Sequence, residues 1–470
     1  MLLYIIYIEP FLLYLQRNLS GLKLAGISQV TEAYCDDVNL ITEDLEDLVR
    51  VDRAVVKFEC MSGAILSRNS KCTIMGLGSW KRKRTWPLHY VRTVEEMKLF
   101  GIYIKDSYRS IIKRNWEYRF LKFSNCVKSW SSKYLPSLKA RAQILNIFAL
   151  SRVFYVASIL PMSKTMAKKF ESVMGKFIWN SSGWFLRVAI EEVKNRTEKG
   201  GLGLICVLRM CKSLLLSQFL RLLKSSHYNS VSHVAYWIGD SLVDLRPDMD
   251  TSLHANDIPE YFAVIESLVV YGRIDCLVTP QKWKSLTNKM IYNDALKTLP
   301  LPKVEFEAGY SFKRIWNLIS SPVLQSAIQD IAYLLVHNKL PLPQMLFRLG
   351  VKNDPYCGVC DSAQFCDAEH YFCLCQTVSA AWQKIRPKLV SLIGVDVPDE
   401  SLIRFMFPAS RYDTEVVWLL GNYLAEIWKL VHIRGDFKVK CEELFGFFKF
   451  KYKQDQQGAR VHMNNIIDIV

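Results

Sequence analysis

The amino-acid sequence predicts an α+β protein in which a mixed first part is followed by a mainly helical remainder. Three observations indicate this fold class. In the first 110 residues, short apolar runs of strand length alternate with apolar positions at helical spacing. From residue 108 onward, apolar positions recur near a period of 3.6 over long stretches. Five of the thirteen cysteines lie between residues 357 and 375 and indicate a small separate segment.

The first part contains helices and short strands in alternation. The apolar spacing and the turn residues predict, in order, a helix Leu2–Leu15, a strand Leu24–Tyr34, a strand Val38–Ile41, a helix Glu43–Cys60 and strands Gly63–Met75 and Lys98–Ile104. Asp36 and Asp37 lie at the turn between the second and third of these elements, so we expect them at the tip of a β-hairpin.

Long helices dominate the rest of the chain. One of them is predicted over Ala140–Leu160, because its apolar residues are spaced for one packed face before Pro161 ends it. The residues expected on that face are Ile144, Leu145, Phe148, Val153, Val156 and Ile159. Changes in character along the chain predict five consecutive segments, with bounds 1–110, 111–180, 181–345, 346–390 and 391–470.

Composition limits the class of protein. With 470 residues, of which 50% are hydrophobic and 23% charged, the chain can bury a large core in about two to four domains. The odd cysteine count and the lack of a secretory signal favour a reducing compartment, the nucleus or the cytoplasm, over a disulfide scaffold. The apolar run Met1–Leu15 contains Glu9-Pro10 and is shorter than about 20 spanning residues, so we expect a buried helix that begins mid-domain and no membrane anchor.

The neighbouring carboxylates Asp36 and Asp37 are the first motif that could carry catalysis. Two carboxylates on a tight hairpin can bind divalent ions, with Mg²⁺ the default, that activate a 3′ hydroxyl and steady a leaving pyrophosphate. An isolated Asp-Asp pair at a turn is more often an ordinary solvated loop. The neighbouring motifs decide between the two interpretations.

Several motifs follow the pair in a fixed order. They are Tyr34-Cys35-Asp36-Asp37, Ser62-Gly63-Ala64, Lys71 and Phe100-Gly101-Ile102, with Tyr7-Ile8-Glu9-Pro10 on the opening helix. This set resembles the palm of reverse transcriptases of LINE-type (non-LTR) retrotransposons, cut off at its N-terminus. The resemblance implies an incomplete palm over residues 1–110, a helical thumb over 111–180, a helical linker over 181–345 and a zinc-binding segment over 346–390.

The resemblance also implies roles for individual residues. Asp36 would bind metal with Asp37 beside it, while Tyr34 and Cys35 would lie near the primer terminus. Lys71 would donate a proton to pyrophosphate, although an ordinary surface lysine is an equally good interpretation. The family's palm needs a further metal-binding Asp and the fingers upstream, which this sequence lacks. We therefore expect an RNA-directed DNA polymerase fragment that is inactive alone.

The segment 111–180 is strongly basic, with thirteen lysines and arginines against two carboxylates, within a chain of net charge +16. Such a density favours a polyanionic partner. The resemblance makes that partner an RNA template with a DNA primer, or target DNA. The candidate phosphate-binding residues are Lys113, Arg114, Lys122, Lys128, Lys133, Lys139 and Arg141.

Aromatic residues interleave with these charges. They are Trp116, Tyr118, Trp130 and Tyr134, and their rings could stack on bases or could equally fill a helical core under a solvated basic face. The string Gly200-Gly201-Leu202-Gly203-Leu204 lacks the Gly-Lys-Ser/Thr ending and the βαβ context of a phosphate-binding loop. It recurs after the thumb in LINE-type proteins and supports the resemblance without a chemical role.

Cysteines and a histidine near residue 360 have the spacing of a metal site. Cys357, Cys360, His370 and Cys375 follow a Cys-x2-Cys-x9-His-x4-Cys pattern, which suits tetrahedral Zn²⁺ in a closed, structural site. Cys366 and Cys373 compete as ligands, and buried free cysteines without metal are the alternative. The family's zinc segment has Glu-His-x4-Cys, which favours Cys375. Such a segment could hold single-stranded nucleic acid or be purely architectural.

Three hypotheses from different classes follow. The first is the reverse transcriptase fragment, and the second is a non-catalytic RNA- or DNA-binding protein derived from such an element. Loss of both hairpin carboxylates without functional effect would favour the second. A membrane or scaffold protein, the third, rests only on the apolar N-terminal run. Within 391–470, the Lys- and Phe-rich stretch Phe445–Lys453 contains no recognisable motif.

Overall fold

The computed structural model describes most of the chain as helices and short strands. The described residues are 2–24, 26–34, 37–68, 72–133, 137–179, 188–225, 228–243, 245–246, 249, 251–252, 255–270, 283–301, 311–360 and 363–432. Three residues predicted to be functional, Cys35, Asp36 and Lys71, lie outside this set, as does the stretch Phe445–Lys453. The described part is rich in helix with small sheets, which agrees with the predicted α+β class.

The chain divides into two compact units, each assembled from separate stretches of sequence. The first contains Met1–Phe123, Ser151–Lys168 and Val207–Lys297, and the second contains Ser124–Leu150, Lys169–Cys206 and Thr298–Val470. The five-segment division made from the sequence stays a prediction.

The first unit begins with helices and two-stranded sheets. Its opening elements are α1 (Leu2–Asn18), β1 (Leu22–Leu24), β2 (Ile27–Gln29), β3 (Thr31–Tyr34), β4 (Asp37–Leu40), α2 (Leu45–Ser62), β5 (Thr73–Ile74), β6 (Arg92–Thr93), β7 (Met97–Leu99) and β8 (Ile102–Ile104). Strands β1–β2, β3–β4 and β7–β8 pair antiparallel, whereas β5–β6 pair parallel.

Helix α1 packs on α2 through a small apolar core. Leu15 and Val51 belong to this core, and the buried Asp47 carboxylate in α2 accepts hydrogen bonds from the backbone N–H groups of Ser20 and Gly21, at 3.0 and 3.2 Å. A buried carboxylate is tolerated here because backbone donors satisfy it. The predicted helices Leu2–Leu15 and Glu43–Cys60 are thus confirmed, with small differences at their ends. The expectation that the first of them is buried is wrong, because Ile6, Leu13 and Tyr14 are 63%, 40% and 41% exposed and α1 contacts α2 along one side only.

Two predicted strands are hairpins instead. The expected strand Leu24–Tyr34 is interrupted after β1, where Gly26 adopts a left-handed φ of 74° that a continuous strand does not allow. The expected strand Lys98–Ile104 folds back between Leu99 and Ile102. Of the predicted strand Gly63–Met75, the described residues retain only β5, because Gly63 at φ 74° ends helix α2.

The helices of the chain follow from Tyr108 onward. They are α3 (Tyr108–Ser131), α4 (Leu138–Ile144), α5 (Ser151–Ala157), α6 (Lys164–Trp179), α7 (Ile190–Val193), α8 (Val207–Lys224), α9 (Tyr228–Ile238), α10 (Glu260–Val270), α11 (Asn288–Leu296), α12 (Phe312–Ile319), α13 (Ser326–Val336), α14 (Pro343–Arg348), α15 (Ser379–Ile393), α16 (Asp399–Ile403) and α17 (Asp413–His432). In the first unit, α8 packs with α9, α10 and α11 around an apolar core. No described helix has the length and apolar content that crossing a bilayer requires.

The helix predicted over Ala140–Leu160 is confirmed only in part, because α4 and α5 cover most of this range but do not form one regular α-helix. A π-turn, Leu145–Ala149, separates α4 from α5, and the N–H of Leu150 bonds the carbonyl of Leu145 at 2.9 Å. The extra residue in this turn rotates the apolar face, so Leu145 remains buried while Phe148 is 47% exposed. Phe148, which the periodicity placed in the core, therefore lies on the surface.

In the second unit, α17 packs against α13 and α15. Trp418 and Tyr423 of α17 are fully buried, and the Tyr423 hydroxyl donates to the carbonyl of Phe372 at 2.6 Å. Arg314 of α12 forms a bidentate ion pair with Asp413 at the start of α17, with N···O distances of 2.5 and 2.8 Å. The first of these contacts joins residues 370–375 to α17, and the second joins α12 to α17.

Candidate functional site

The four residues predicted to bind zinc lie together. The ligand atoms of Cys357, Cys360, His370 and Cys375 are all within 4.8 Å of one another. The Cys357 and Cys375 sulfurs are 3.9 Å apart, and the Cys360 sulfur is 3.4 Å from the Nε2 of His370. A tetrahedral zinc ion with normal bond lengths separates two sulfurs by about 3.8 Å and a sulfur from a nitrogen by about 3.6 Å. The cluster therefore fits zinc.

Local backbone structure brings the ligands together. Tyr356 and Phe365 pair in a single antiparallel bridge, so the adjacent Cys357 and Cys366 turn to the buried side while the two aromatic rings face outward. The last two ligands are joined by a second π-turn, His370–Leu374, in which the Cys375 N–H bonds the His370 carbonyl at 2.8 Å. The His-x4-Cys spacing is the one that such a turn requires.

Neighbouring polar groups orient the ligands. The Nδ1 of His370 lies 3.3 Å from the Oε1 of Gln364, which leaves Nε2 with a lone pair for a metal. The Thr377 hydroxyl lies 3.1 Å from the Cys375 sulfur. Burial raises the pKa of the Cys375 thiol to about 11, which favours the protonated thiol in the absence of metal. A coordinated zinc ion would favour the thiolate instead, because a metal-bound thiol is deprotonated. Zinc binding at this site would thus release protons.

The competing cysteines differ in position from the four ligands. Cys366 and Cys373 are both fully buried, and neither joins the cluster that the four ligand atoms form. Burial raises the pKa of both thiols, which is the behaviour of structural cysteines. The preference for Cys375 over Cys373 agrees with this geometry.

Asp37, the described member of the carboxylate pair, begins the second strand of a hairpin, in agreement with the prediction. Strands β3 and β4 pair antiparallel with Tyr34 opposite Asp37. Tyr34 is 68% exposed, and its ring meets that of Phe100 edge-on at 6.3 Å. The described residues form no group of three or more metal-binding side chains that includes Asp37, and nothing in this geometry supports a Mg²⁺ ion.

The turn that Tyr34 contacts is conformationally strained. Phe100 and Gly101 connect β7 to β8 with φ angles of 46° and 82°, the pattern of a type I′ turn, in which a bulky residue at the first position is unfavourable. The Tyr155 hydroxyl bonds the carbonyl of Phe100, and Arg119 donates to that of Gly101 at 3.4 Å. Two helix side chains therefore hold this turn in place beside the hairpin.

The predicted phosphate-binding residues differ in solvent exposure and in their contacts with the rest of the protein. Lys113, Lys122, Lys128 and Lys133 are exposed, whereas Lys139 and Arg141 are half-buried. Arg141 donates to the carbonyl of Ile178 at 2.9 Å. Arg114 forms a bidentate ion pair with Glu96, with N···O distances of 2.9 and 3.0 Å. The two arginines thus have structural partners, and the four exposed lysines are more accessible than the arginines; phosphate binding by any of them stays a prediction.

The interleaved aromatic residues also separate into two kinds. Trp116 is 1% exposed and donates its indole N–H to the carbonyl of Pro161 at 2.8 Å, so the core interpretation is correct for this residue. Trp130 is half-buried, with the Lys133 ammonium 4.6 Å from its ring centre. Tyr134 lies outside the described residues.

Helix α6 has a basic surface whose lysines are not among the predicted phosphate-binding residues. Four lysines lie on one exposed face of this helix: Lys164, Lys168, Lys169 and Lys176. The other exposed residues of the same face, Thr165 and Ser172, are uncharged. We call these four residues the α6 lysine face. The carboxylate of α6, Glu171, binds the buried Lys194 at 2.6 Å. The near four-residue spacing of the lysines was the signal that could have revealed this face.

The Gly-Gly-Leu-Gly-Leu string is structural. The carbonyl of Gly200 bonds the buried His337 ring at 2.9 Å and the Tyr333 hydroxyl at 3.3 Å. Burial lowers the pKa of His337 to about 4, so the ring is neutral at physiological pH. Gly201 lies so close to Asn195 that a Cβ atom would be 1.9 Å from its carbonyl oxygen. These contacts explain the glycines without a phosphate ligand.

Comparison with known proteins gives one informative similarity. No family model matches the sequence. Over 324 residues, 64% of the chain, it is 23% identical to the Transposon TX1 uncharacterized 149 kDa protein of Xenopus laevis. The matched region is 24% of that protein, so the chain spans about a quarter of its length. This distant similarity supports a transposon-related origin for the chain.

Proposed function

We propose that the chain derives from the reverse transcriptase of a LINE-type retrotransposon and that it binds RNA and DNA through its basic helices. The observation that carries the binding proposal is the α6 lysine face. Four ammonium groups project from about 18 Å of one helix face, a length comparable to several nucleotides of a phosphate backbone. Lysines in such a row contact phosphates and leave the bases unread.

The charge of the sequence that leads into α6 also favours a polyanion. Residues 118–170 contain ten lysines and arginines and no carboxylate. Without a partner, so many like charges repel one another, and bound phosphates relieve that repulsion while releasing counterions. The partners proposed on this basis are an RNA template with a DNA primer, or target DNA.

Changing the four lysines of the α6 lysine face to glutamine is expected to weaken binding of an RNA–DNA duplex by about ten- to a hundredfold at low salt, because four phosphate contacts are lost. Fluorescence anisotropy with a labelled duplex measures the change. A matched control changes four exposed lysines elsewhere, Lys23, Lys212, Lys224 and Lys289, to glutamine. Equal loss in both variants would show that only net charge matters and would contradict a specific surface.

The polymerase assignment rests on the hairpin. The exposed Tyr34, which lies opposite Asp37 in the hairpin and whose ring contacts Phe100 of the neighbouring turn, supports a palm-like arrangement. In this proposal Asp36 and Asp37 would bind Mg²⁺, as the family resemblance implies. In this proposal Cys35 lies near the primer terminus and Lys71 protonates pyrophosphate. Two-metal catalysis needs further ligands, and Asp37 joins no metal-binding group among the described residues.

We therefore expect no primer extension by the purified chain on an RNA template with Mg²⁺ and all four deoxynucleotides. Incorporation of labelled nucleotide above that of an Asp36→Asn/Asp37→Asn double variant would contradict this expectation. The second candidate function, a non-catalytic nucleic-acid-binding protein, predicts that the double variant binds the duplex as tightly as the parent protein.

The zinc segment completes the proposal. A closed Cys3His centre leaves no open position for water, so its zinc would be structural and would stabilise the loop-rich stretch 355–378. None of the described cysteines forms a disulfide with another described cysteine. Free thiols and a thiolate-bound metal fit a reducing compartment, the nucleus or the cytoplasm.

A further inference from the structure

The π-turn Leu145–Ala149 presents two large apolar side chains on the surface. Ile147 is 61% exposed and Phe148 is 47% exposed. The thiol of Cys126 lies 3.5 Å from the Phe148 carbonyl and fixes the backbone of the turn against α3. A π-turn inside a helix is unfavourable in itself and is frequent at functional sites. We therefore asked what the two exposed apolar side chains of this turn could bind.

The exposed Phe148 ring lies against Trp130 of α3. The two ring centres are 5.2 Å apart with the ring planes tilted by 34°. The ammonium group of Lys133 lies 4.6 Å from the centre of the Trp130 ring, and Lys128 is exposed one half-turn before that residue. We call Trp130, Lys133 and Phe148 the aromatic platform. All three residues belong to the same compact unit.

The chemistry of the aromatic platform identifies its ligand. Flat ring faces stack on flat aromatic groups, and lysines among them attract an anion, so the matching ligand combines a planar ring with a negative charge. The surrounding sequence, residues 118–170, contains no carboxylate, which disfavours a basic partner. A nucleotide has both required features. Bases within a duplex are already paired and stacked, so an unpaired base fits best.

We propose that the aromatic platform binds an unpaired base of single-stranded RNA or DNA by stacking on Phe148 and Trp130, with Lys133 on the adjacent phosphate. This inference rests on the proposed nucleic-acid-binding function and adds a second site to it. The α6 lysine face contacts phosphates of any nucleic acid, whereas the platform distinguishes single strands from duplexes.

The full-length protein tests the platform through Phe148→Leu, which keeps an apolar side chain of similar size and removes the ring. We expect affinity for a short labelled oligouridine to fall by about 5- to 150-fold, the range for loss of one base-stacking ring. Affinity for an RNA–DNA duplex should stay within about twofold. Ile147→Ala, a change at the more exposed neighbour in the same turn, is the matched control and should alter neither affinity.

An oligonucleotide in which abasic sites replace the bases keeps the phosphates and separates stacking from charge. Wild-type protein and Phe148→Leu should bind it equally. Trp130→Phe, which retains a ring, should bind oligouridine nearly as well as the parent. Unchanged binding of oligouridine by Phe148→Leu would overturn the platform, as would equal weakening on single strands and duplex. If the parent protein bound no nucleic acid at all, the proposed function would fail first.

Discussion

Changing Cys357 and Cys360 to serine is expected to remove one zinc ion per chain and to unfold the stretch 355–378. Two of four ligands are lost, and structural zinc contributes about 10 kcal/mol or more to small domains that depend on it. Elemental analysis of the purified protein measures the zinc, and limited proteolysis measures the unfolding. Cleavage should appear within this stretch only in the variant.

A matched control is available inside the same segment. Cys373 is as deeply buried as the ligands but does not join their cluster, so Cys373→Ala should keep its zinc. Loss of zinc from that variant, or full zinc content after both Cys357 and Cys360 are changed, would contradict the assignment. Because Tyr423 bonds the carbonyl of Phe372, metal loss should also reduce the stability of α17 against its neighbours.

Gly201→Ala is expected to destabilise the second unit by about 3 kcal/mol or more, since the new Cβ would overlap the carbonyl oxygen of Asn195 and force the backbone to move. The turn is held from both sides, with Gly201 donating to the carbonyl of Arg196 and Gly200 accepting from His337. Urea unfolding followed by circular dichroism measures the shift in midpoint.

Gly203 provides the comparison for this prediction. Its φ is 68°, and a Cβ added there meets nothing within 4 Å, so Gly203→Ala pays only for a left-handed backbone, about 1–2 kcal/mol. The ranking of the two variants is therefore the test. If both lowered the midpoint by the same amount, backbone conformation alone, and not the close approach to Asn195, would account for the loss of stability.

The zinc cluster was predictable from the sequence because its geometry is local. Cys357 and Cys375 are close in the chain, and two short turns suffice to bring all the ligands together, so spacing carries most of the information. The hairpin at Asp37 was predictable for the same reason, since two short apolar runs separated by a polar pair leave few other arrangements.

Features that depend on distant or irregular contacts were not predictable. The π-turn at Leu145 changes which residues face outward, and a fixed period of 3.6 cannot represent one inserted residue. Trp116 among basic residues could have faced a ligand, and only its contact with Pro161 shows that it is core. The partner of Gly200 is His337, far along the chain, so no local pattern pointed to it.

The interruption of the strand predicted over Leu24–Tyr34 has a more local origin. Gly26 was visible in the sequence, but an isolated glycine in an apolar run is compatible with a strand, a bulge or a turn. Gly26 adopts a left-handed conformation because β1 pairs with β2 in a hairpin. The periodicity of apolar residues does not specify that pairing.

Binding of RNA–DNA duplex as a function of salt tests the central claim most directly, because phosphate contacts release counterions and apolar contacts do not. Across about 50 to 200 mM salt, we expect log affinity to fall linearly against log salt with a slope of about −3 or steeper, and the four changes in the α6 lysine face should make this slope shallower. An affinity independent of salt, or no binding at the lowest salt, would contradict it.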